Sequence, residues 1–217
     1  MISFTFDDGR ANHVTPASKI LDDFGLNGTF YVCPGLVGDE RYQWERPAQQ
    51  IELASWDELI DASARGHEIG NHSWNHPSFP YASKRNRATP HWMVRQSVNS
   101  AEAIKRRIPD KEFTWAWPYH WSVTHMTTLI KEHHVGIRPF YNKISYNLPK
   151  EGDDYLEHLN HIADILKPDE WCCAVIHDMD TGYQPLPSDV FRRHLEYVVD
   201  KGIEVKTVAE KLRETQP

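Results

Sequence analysis

The sequence predicts an α/β fold, a single-domain (β/α) barrel, and three observations support this prediction. Short apolar segments end at glycine or polar residues, and each is followed by a segment with apolar residues at helical spacing. This alternation runs along the whole chain and is typical of a parallel sheet covered by helices. The chain also has no glycine-rich dinucleotide motif. This absence, together with the length of the chain, favours a barrel over a dinucleotide-binding fold.

Composition and charge limit the possible partners. The chain has 217 residues, of which 40% are hydrophobic and 12% aromatic, enough for one compact domain over residues 1–217. The formal net charge is -7 and there is no block of lysine or arginine. Because phosphate binding requires clustered cations, we expect no nucleic-acid partner and a neutral or weakly charged substrate. The sequence leaves the oligomeric state open.

Two features bear on the cellular compartment. No apolar run approaches the length of a membrane span, and a strand beginning at Ile2 leaves no room before it for a signal peptide. We therefore expect no membrane partner and a cytoplasmic protein, although a chain that had lost a leader would give the same pattern. The three cysteines, Cys33, Cys172 and Cys173, are expected to be buried thiols rather than a disulfide framework.

The first predicted strand ends in two adjacent acids. Apolar and polar residues alternate from Ile2 to Phe6, and Asp7, Asp8 and Gly9 follow directly. Adjacent carboxylates repel each other, so a proton or a cation is expected between or beside them. The pair is therefore a candidate for a metal ligand beside a general base. An ordinary Asp-Asp-Gly turn is the alternative, and these residues alone would favour it.

The elements that follow have recognisable boundaries. Thr15 and Pro16 are predicted to begin the first helix, since proline is favoured in a first turn. Ser55 to Glu58 form a capping box for the second helix. Further strands are expected at residues 29–33, 67–70, 113–116, 135–138, 172–176 and 203–205. Further helices are expected over 94–108, 123–130, 156–166 and 188–198, with a long connection over 34–54.

Polar residues recur just after these strands. In a parallel barrel all carboxyl ends of the strands share one rim, where active sites form. His72 and His76 follow the third strand, and their spacing lets both imidazoles reach one ion from a helical turn or a wound loop. With 13 histidines in the chain, a chance pair would be the better interpretation of this spacing alone. Two carboxylates on the same rim reverse that preference.

Four short motifs then resemble one known family. They are T-F-D-D-G at Thr5–Gly9, H-S-x-x-H-P at His72–Pro77, W-P-Y at Trp117–Tyr119 and V-I-H-D at Val175–Asp178. In this order they resemble the polysaccharide deacetylases, the NodB-homology domain of carbohydrate esterase family four. The resemblance implies a deformed barrel, usually of seven strands, and a divalent metal ion, typically zinc. It also implies a hydrolase that removes N-acetyl or O-acetyl groups from an acetylated carbohydrate.

The resemblance assigns roles by position. It makes Asp8, His72 and His76 the metal ligands, Asp7 the catalytic base, Tyr119 a backbone donor to the oxyanion and His177 the general acid. Three protein ligands leave a position for water, which suits a hydrolytic site. A histidine titrates in the range that general acid catalysis requires near neutral pH.

The sequence departs from the family in the third and fourth motifs. Ala116 stands where the family has an arginine that braces the base, His120 replaces a glycine, and the usual acid of the fourth motif is absent. One hypothesis is that Arg138 supplies the guanidinium from a neighbouring strand. The alternative is that Arg138 pairs with a loop acid such as Asp153 or Asp154 and has no catalytic role.

Other interpretations stay open. Hydrolysis of a small amide, imide or formamide on the same fold is a second enzymatic hypothesis, and a catalytically weak, metal-containing carbohydrate-binding protein is a third. His133 and His134 are expected to be a solvated helix end rather than a second metal site. Trp44, Trp92 and Trp121 are expected in rim loops, as sugar-stacking platforms or as core residues.

Overall fold

The computed structural model describes residues 1–38, 42–43, 50–85, 88–139, 143–145, 155–182 and 185–215. Its strands are β1 (Ile2–Phe6), β2 (Thr29–Val32), β3 (Tyr42–Gln43), β4 (Gln50–Ile51), β5 (Glu68–Asn71), β6 (Lys143–Ser145) and β7 (Cys172–Ile176). The main sheet has five strands in the order β5-β2-β1-β7-β6, and all its neighbouring pairs are parallel. The parallel α/β fold predicted from the sequence is thereby confirmed.

Helices connect the strands. They are α1 (Ala11–Asp23), α2 (Trp56–Ala64), α3 (Phe79–Lys84), α4 (Pro90–Val94), α5 (Ser100–Arg107), α6 (Thr124–His133), α7 (Tyr155–Ile165), α8 (Ser188–Asp200) and α9 (Val208–Glu214). A π-helical turn, Arg95–Asn99, joins α4 to α5, and Pro118–His120 form a 3₁₀ turn. Among the residues that the structure describes, no helix is both long and apolar enough to cross a membrane.

Several predicted strands are reduced to single pairings. Trp115 bridges to Asn71 on one side and to Ile137 on the other, and Val205 bridges to Ile2. In each segment only one residue pairs in this way, too short a run for a full strand. Within the described part of the chain no pairing joins Ile137 to β6, so barrel closure and the number of seven strands stay predictions. Neither β6 nor the antiparallel pair β3 and β4 was predicted.

The capping box at α2 is confirmed, and the predicted start of α1 is wrong. The Glu58 N–H donates to the Ser55 hydroxyl at 3.3 Å, and the Ser55 N–H donates to the Glu58 carboxylate at 2.8 Å. Helix α1 instead begins at Ala11, so Pro16 lies inside it. A proline at that position removes one backbone hydrogen bond and crowds the carbonyl of the residue four earlier, so it costs the helix stability. The residues before Pro16 are held in the helix because Asn12, in its first turn, donates hydrogen bonds to Asp178 and to the Thr181 carbonyl.

The sheet is buried on both faces. On the side of α8, the Phe4 ring meets Phe191 edge-on with centroids 5.4 Å apart, and Phe6 stacks on Phe30 at 4.8 Å. The polar residues of β1 are also buried, and Thr5 donates its hydroxyl hydrogen to the Ala174 carbonyl at 2.9 Å. The three cysteines are free and buried, as the sequence predicted.

Candidate metal centre and hydrolytic site

Asp7 and Asp8 lie at the carboxyl end of β1, where the chain turns sharply. Asp8 has a φ of 79° and Gly9 a φ of 70°, both in the left-handed region. A Cβ on Gly9 would lie 3.1 Å from Cγ1 of Val32, so glycine suits both the backbone angle and the close approach to β2. Both carboxylates are buried, with 1% of Asp7 and 4% of Asp8 exposed.

Asp8, His72 and His76 come together as a cluster of possible metal ligands. Asp8 Oδ1 lies 3.2 Å from His76 Nε2 and 3.6 Å from His72 Nε2. One ligand atom from each residue lies within 4.8 Å of the others, and no other group of three or more such residues occurs among the described residues. The structure therefore places the predicted ligands within reach of one ion.

The state of these groups suits a cation. The His72 Nδ1–H donates to the Ala116 carbonyl at 2.9 Å, which leaves the lone pair on Nε2 facing Asp8. Asp8 Oδ1 is buried and accepts no hydrogen bond from the residues described. Burial lowers the pKa of His72, and it lowers the pKa of His76 to about 3. Both imidazoles are therefore neutral at pH 7, the form in which histidine binds a metal.

A wound loop, not a helix, carries the two histidines. The side-chain carbonyl of Asn71 accepts the Ser73 N–H at 3.0 Å, and the Ser73 hydroxyl accepts the His76 N–H at 3.1 Å. Ser73 and His76 have φ angles of 72° and 53°. These hydrogen bonds compensate for backbone strain and bring the imidazole centroids to 4.9 Å.

Two neighbouring elements support this loop from behind. Gln96, in the π-helical turn, accepts the Trp74 N–H at 3.1 Å and donates its amide to the Asn75 side chain at 2.9 Å. Gly35 donates its N–H to the Trp74 carbonyl at 2.8 Å, and a Cβ on Gly35 would lie 2.3 Å from the Trp74 indole nitrogen. The π-helical turn thus serves the site, as such turns often do.

His134 fixes Asn71, and its predicted solvation is wrong. His134 is 7% exposed and packs edge-on against Phe113 and Trp115. Its Nδ1–H donates to the Ile130 carbonyl at 2.6 Å, and its Nε2 accepts the Asn71 amide at 2.9 Å. The helix C-terminus turns into the core here because the next residues join the sheet.

We expect His134 to make the folded state sensitive to acid. Burial is the main cause that lowers its pKa from 6.5 to about 4. The unfolded chain therefore binds a proton first, so this contribution to the unfolding free energy is complete above pH 6.5 and is lost as the pH falls towards 4. Urea unfolding at several pH values should give a flatter pH dependence for His134→Gln than for wild type. The exposed control His91→Gln should follow the wild-type curve; equal slopes for all three proteins would contradict the expectation.

The Arg138 guanidinium forms a bidentate ion pair with the Asp7 carboxylate. Nη1 and Nη2 donate to the two carboxylate oxygens at 2.5 and 2.7 Å, and Nη1 also donates to the Thr5 hydroxyl at 2.9 Å. The guanidinium carbon lies 4.7 Å from the centre of the Tyr31 ring. The contact is the one that the arginine-swap hypothesis requires. The alternative partners, Asp153 and Asp154, lie outside the described residues.

Charges decide the ionisation of the two aspartates. Burial alone would raise the pKa of Asp7, but Arg138 and then His72 outweigh it and hold that pKa far below its usual range. Burial would likewise raise the pKa of Asp8, but interactions with His76 and then Arg10 outweigh burial and hold that pKa below its usual range. Both carboxylates are therefore ionised near neutral pH.

An open cleft of 520 Å³ lies over these residues. Its lining includes Asp7, Asp8, His72 and His76, together with Tyr119, His120, Trp121 and the half-buried His177. The Tyr119 ring lies 4.6 Å from the His76 ring and is 47% exposed, and Trp121 is 59% exposed at the rim. Trp92 instead packs on Phe79 at 5.3 Å, away from the cleft lining, and Trp44 lies outside the described residues.

Two further charged residues of the site were not predicted. Arg10 Nη2 donates to Asp8 Oδ2 at 2.9 Å, and Arg10 Nη1 donates to both oxygens of Asp178, at 2.8 and 2.9 Å. Arg10 directly follows the T-F-D-D-G motif, and Asp178 ends V-I-H-D. In the sequence, each of the two is therefore a charged residue at the end of a motif or directly after it.

The site combines one carboxylate and two neutral imidazoles within reach of one ion. A second, ionised carboxylate lies beside them at the carboxyl edge of the parallel sheet. This combination is typical of metal-dependent hydrolases. The sequence profile of the family described as polysaccharide deacetylase matches residues 1–136. The chain therefore belongs to the polysaccharide deacetylase family.

Solved structures share the fold at low sequence identity. The carbohydrate esterase 4 domain of a multidomain xylanase from the hindgut metagenome of Trinervitermes trinervoides has a TM-score of 0.70, 18% identity, and coverage of 99% of this chain and 89% of that chain. A family 4 acetyl xylan esterase from Clostridium thermocellum, in complex with cobalt, has a TM-score of 0.69 and 17% identity, with coverage of 96% of this chain and 88% of that chain. The chitin deacetylase of Colletotrichum lindemuthianum has a TM-score of 0.65 and 19% identity, with coverage of 96% of this chain and 85% of that chain. No curated protein matches the sequence.

Proposed function

We propose that this protein is a metal-dependent hydrolase that removes acetyl groups, N-linked or O-linked, from a carbohydrate. The observation that carries the proposal is the ligand cluster of Asp8, His72 and His76 directly beside the buried pair of Asp7 and Arg138. A metal cluster alone would also suit a structural site. The second, ionised carboxylate, Asp7, lines the cleft and gives the site a base, which a structural site does not need.

The residues fit one divalent metal ion, and we propose zinc. One carboxylate oxygen and two imidazole nitrogens are the ligand types that zinc favours, and three protein ligands leave room for water and substrate. When bound, the ion supplies Lewis-acid chemistry, lowering the pKa of water and polarising an acetyl carbonyl. His72 is held in the required tautomer by the Ala116 carbonyl.

Asp7 is the proposed general base. It is ionised, it lines the cleft, and its nearest oxygen lies 3.9 Å from His72 Nε2, at the edge of the ligand cluster. Arg138 fixes the plane of the carboxylate through two hydrogen bonds, so a lone pair of Asp7 keeps one direction. The same arginine makes Asp7 a weak base, so its contribution to catalysis depends on position rather than on high basicity.

His177 and Tyr119 take the remaining proposed roles. The half-buried His177 lies at the end of β7 and lines the cleft with Asp7 and Asp8. From there its imidazole can give a proton to the leaving amine or alkoxide. The backbone N–H of Tyr119 is the proposed donor to the oxyanion, in a turn where Tyr119 has a φ of 52°.

The cleft suits a sugar. Tyr119 and Trp121 expose aromatic surface beside a polar floor, and sugar rings bind such surfaces through their C–H faces. We propose that the catalytic domain spans residues 1–217 and that the complete fold closes into the seven-stranded barrel implied by the family resemblance. In that barrel the proposed acid, base and ligands share one rim.

A substrate screen tests the function. Zinc-loaded protein should release acetate from acetylated xylo-oligosaccharides or from N-acetylglucosamine oligomers faster than it hydrolyses small amides, imides or formamides. Faster hydrolysis of a small amide, imide or formamide would show that the substrate is a small C–N compound rather than a carbohydrate. Binding of oligosaccharides without turnover of either these or a generic acetate ester would indicate a binding protein instead.

We expect His72→Ala and His76→Ala to lose the metal. Each removes one of three ligands, so zinc affinity should fall by at least the 10–100-fold typical of supporting residues. Elemental analysis after zinc reconstitution should find one zinc ion per wild-type chain and little in either variant. The control His91→Ala, on exposed helix surface, should retain wild-type content. Wild-type protein without bound metal would end the proposal.

A further inference from the structure

Arg10 links two loops of the site. It ends the turn after β1, and its guanidinium lies between Asp8 of the same turn and Asp178 in the loop after β7. Arg10 is 9% exposed and Asp178 is 2% exposed, so the charges are largely removed from water. In such surroundings an arginine between two carboxylates needs well-formed hydrogen bonds, and these distances provide them.

The Asp178 end of this link is itself held in place. Asn12, in the first turn of α1, donates its amide to Asp178 Oδ1 at 3.0 Å and to the Thr181 carbonyl at 2.8 Å. Gly182 has a φ of 119°, and a Cβ there would lie 2.4 Å from the Asp178 carboxylate. The loop after β7 therefore packs closely on this carboxylate, and only glycine allows that approach.

The contact with Asp8 uses a selected oxygen. Arg10 engages Oδ2 at 2.9 Å, whereas Oδ1 faces the imidazoles of His72 and His76. The guanidinium therefore divides the carboxylate into one oxygen held by the protein and one turned to the ligand cluster. Without Arg10, the carboxylate could rotate and offer both oxygens to a metal.

We propose that Arg10 is a positioning residue that restricts Asp8 to one ligand oxygen and fixes that ligand to the loop carrying His177 and Asp178. Metal geometry and the position of His177 are then set by one buried guanidinium. Only the expected effect of Arg10 on kcat rests on the proposed function. The metal-binding part of the inference concerns Asp8 and can be measured without any substrate.

Cobalt provides the test, because its visible absorption bands report coordination number and geometry. Arg10→Met removes both hydrogen-bonding ends, and Arg10→Lys keeps the charge but cannot grip both carboxylates. Arg192→Met is the matched control, since Arg192 pairs with Asp23 on exposed surface. Each protein is loaded with cobalt, its absorption spectrum recorded, and its cobalt affinity measured by chelator competition; circular dichroism checks the fold.

Both Arg10 variants should show an altered cobalt spectrum and an affinity changed by about 10-fold or more, with the control unchanged. On a cleaved substrate, kcat should fall while KM stays within about 3-fold, since positioning acts on the reaction step. A folded Arg10→Met with wild-type spectrum and affinity would overturn the inference. If Arg10→Met does not fold, a wild-type spectrum in Arg10→Lys would overturn it equally. Wild-type protein without turnover would refute the proposed function but leave the cobalt result to decide on Arg10.

Discussion

Asp7→Asn should keep its metal ion and lose turnover by about 10²–10⁴-fold, the range that general base catalysis provides. An amide has nearly the shape of a carboxylate, so Arg138 can still donate to its oxygen, but an amide accepts no proton from water. The measurements are zinc content and kcat at saturating zinc. Asp7 is not expected to be a principal ligand, because its nearest oxygen lies 3.9 Å from His72 Nε2, farther than the 3.6 Å from Asp8.

Asp8→Asn is the matched comparison, one residue away in the same turn. It should weaken zinc binding first and recover part of its activity at high zinc concentration, because Asp8 Oδ1 faces both imidazoles. The two variants should therefore show opposite patterns of metal content and kcat. Near-normal turnover of Asp7→Asn at saturating zinc would assign the base to another residue.

Arg138→Lys should lower kcat by about 10²-fold without changing metal affinity, nearly as much as Arg138→Ala. A lysine keeps the charge but loses the planar fork that holds both Asp7 oxygens at 2.5 and 2.7 Å. A base that is free to rotate spends less time in the reactive orientation, and small displacements have effects of this size. The readouts are kcat, KM and zinc affinity of each folded variant.

Stability needs a separate control, because Arg138 is 4% exposed and Asp7 1% exposed. Removing one partner of a buried ion pair typically costs about 3–5 kcal/mol of unfolding free energy. The double variant Asp7→Asn with Arg138→Met removes both charges and should recover part of that loss. Arg192→Ala breaks an exposed pair with Asp23 and should cost about 1 kcal/mol or less. A fully active Arg138→Ala enzyme would show that the contact with Asp7 has no catalytic role.

Part of the ligand cluster followed from the residues alone. The carboxyl ends of parallel strands share one edge, so the acids Asp7 and Asp8 after β1 and the two histidines after β5 were expected on one rim. The choice of Asp8 rather than Asp7 as the ligand came from the family resemblance, and the spacing of His72 and His76 did not decide the local shape of the loop. That shape depends on supporting residues such as Gln96 and Gly35, which are distant in sequence and carry no local signal.

Side-chain partners at the site were harder to predict. An arginine after a turn can point to solvent or into the site, and the carboxylates of Asp8 and Asp178 together decide this for Arg10. His134 belongs to a helix end whose composition suggests solvation, yet the following segment enters the sheet and buries it. Tertiary packing overrides the local pattern in both cases. Pro16 gives a similar lesson, because contacts of Asn12 with the loop after β7 extend α1 beyond its expected start.

Titration of metal-free protein with zinc, with acetate release from an acetylated oligosaccharide as the readout, decides whether this protein is a metal-dependent deacetylase. We expect no turnover at the start, a linear rise, and saturation at one zinc ion per chain, with no rise at all in His72→Ala. Full turnover in metal-free protein, or saturation unrelated to the amount of zinc bound at Asp8, His72 and His76, would contradict this expectation.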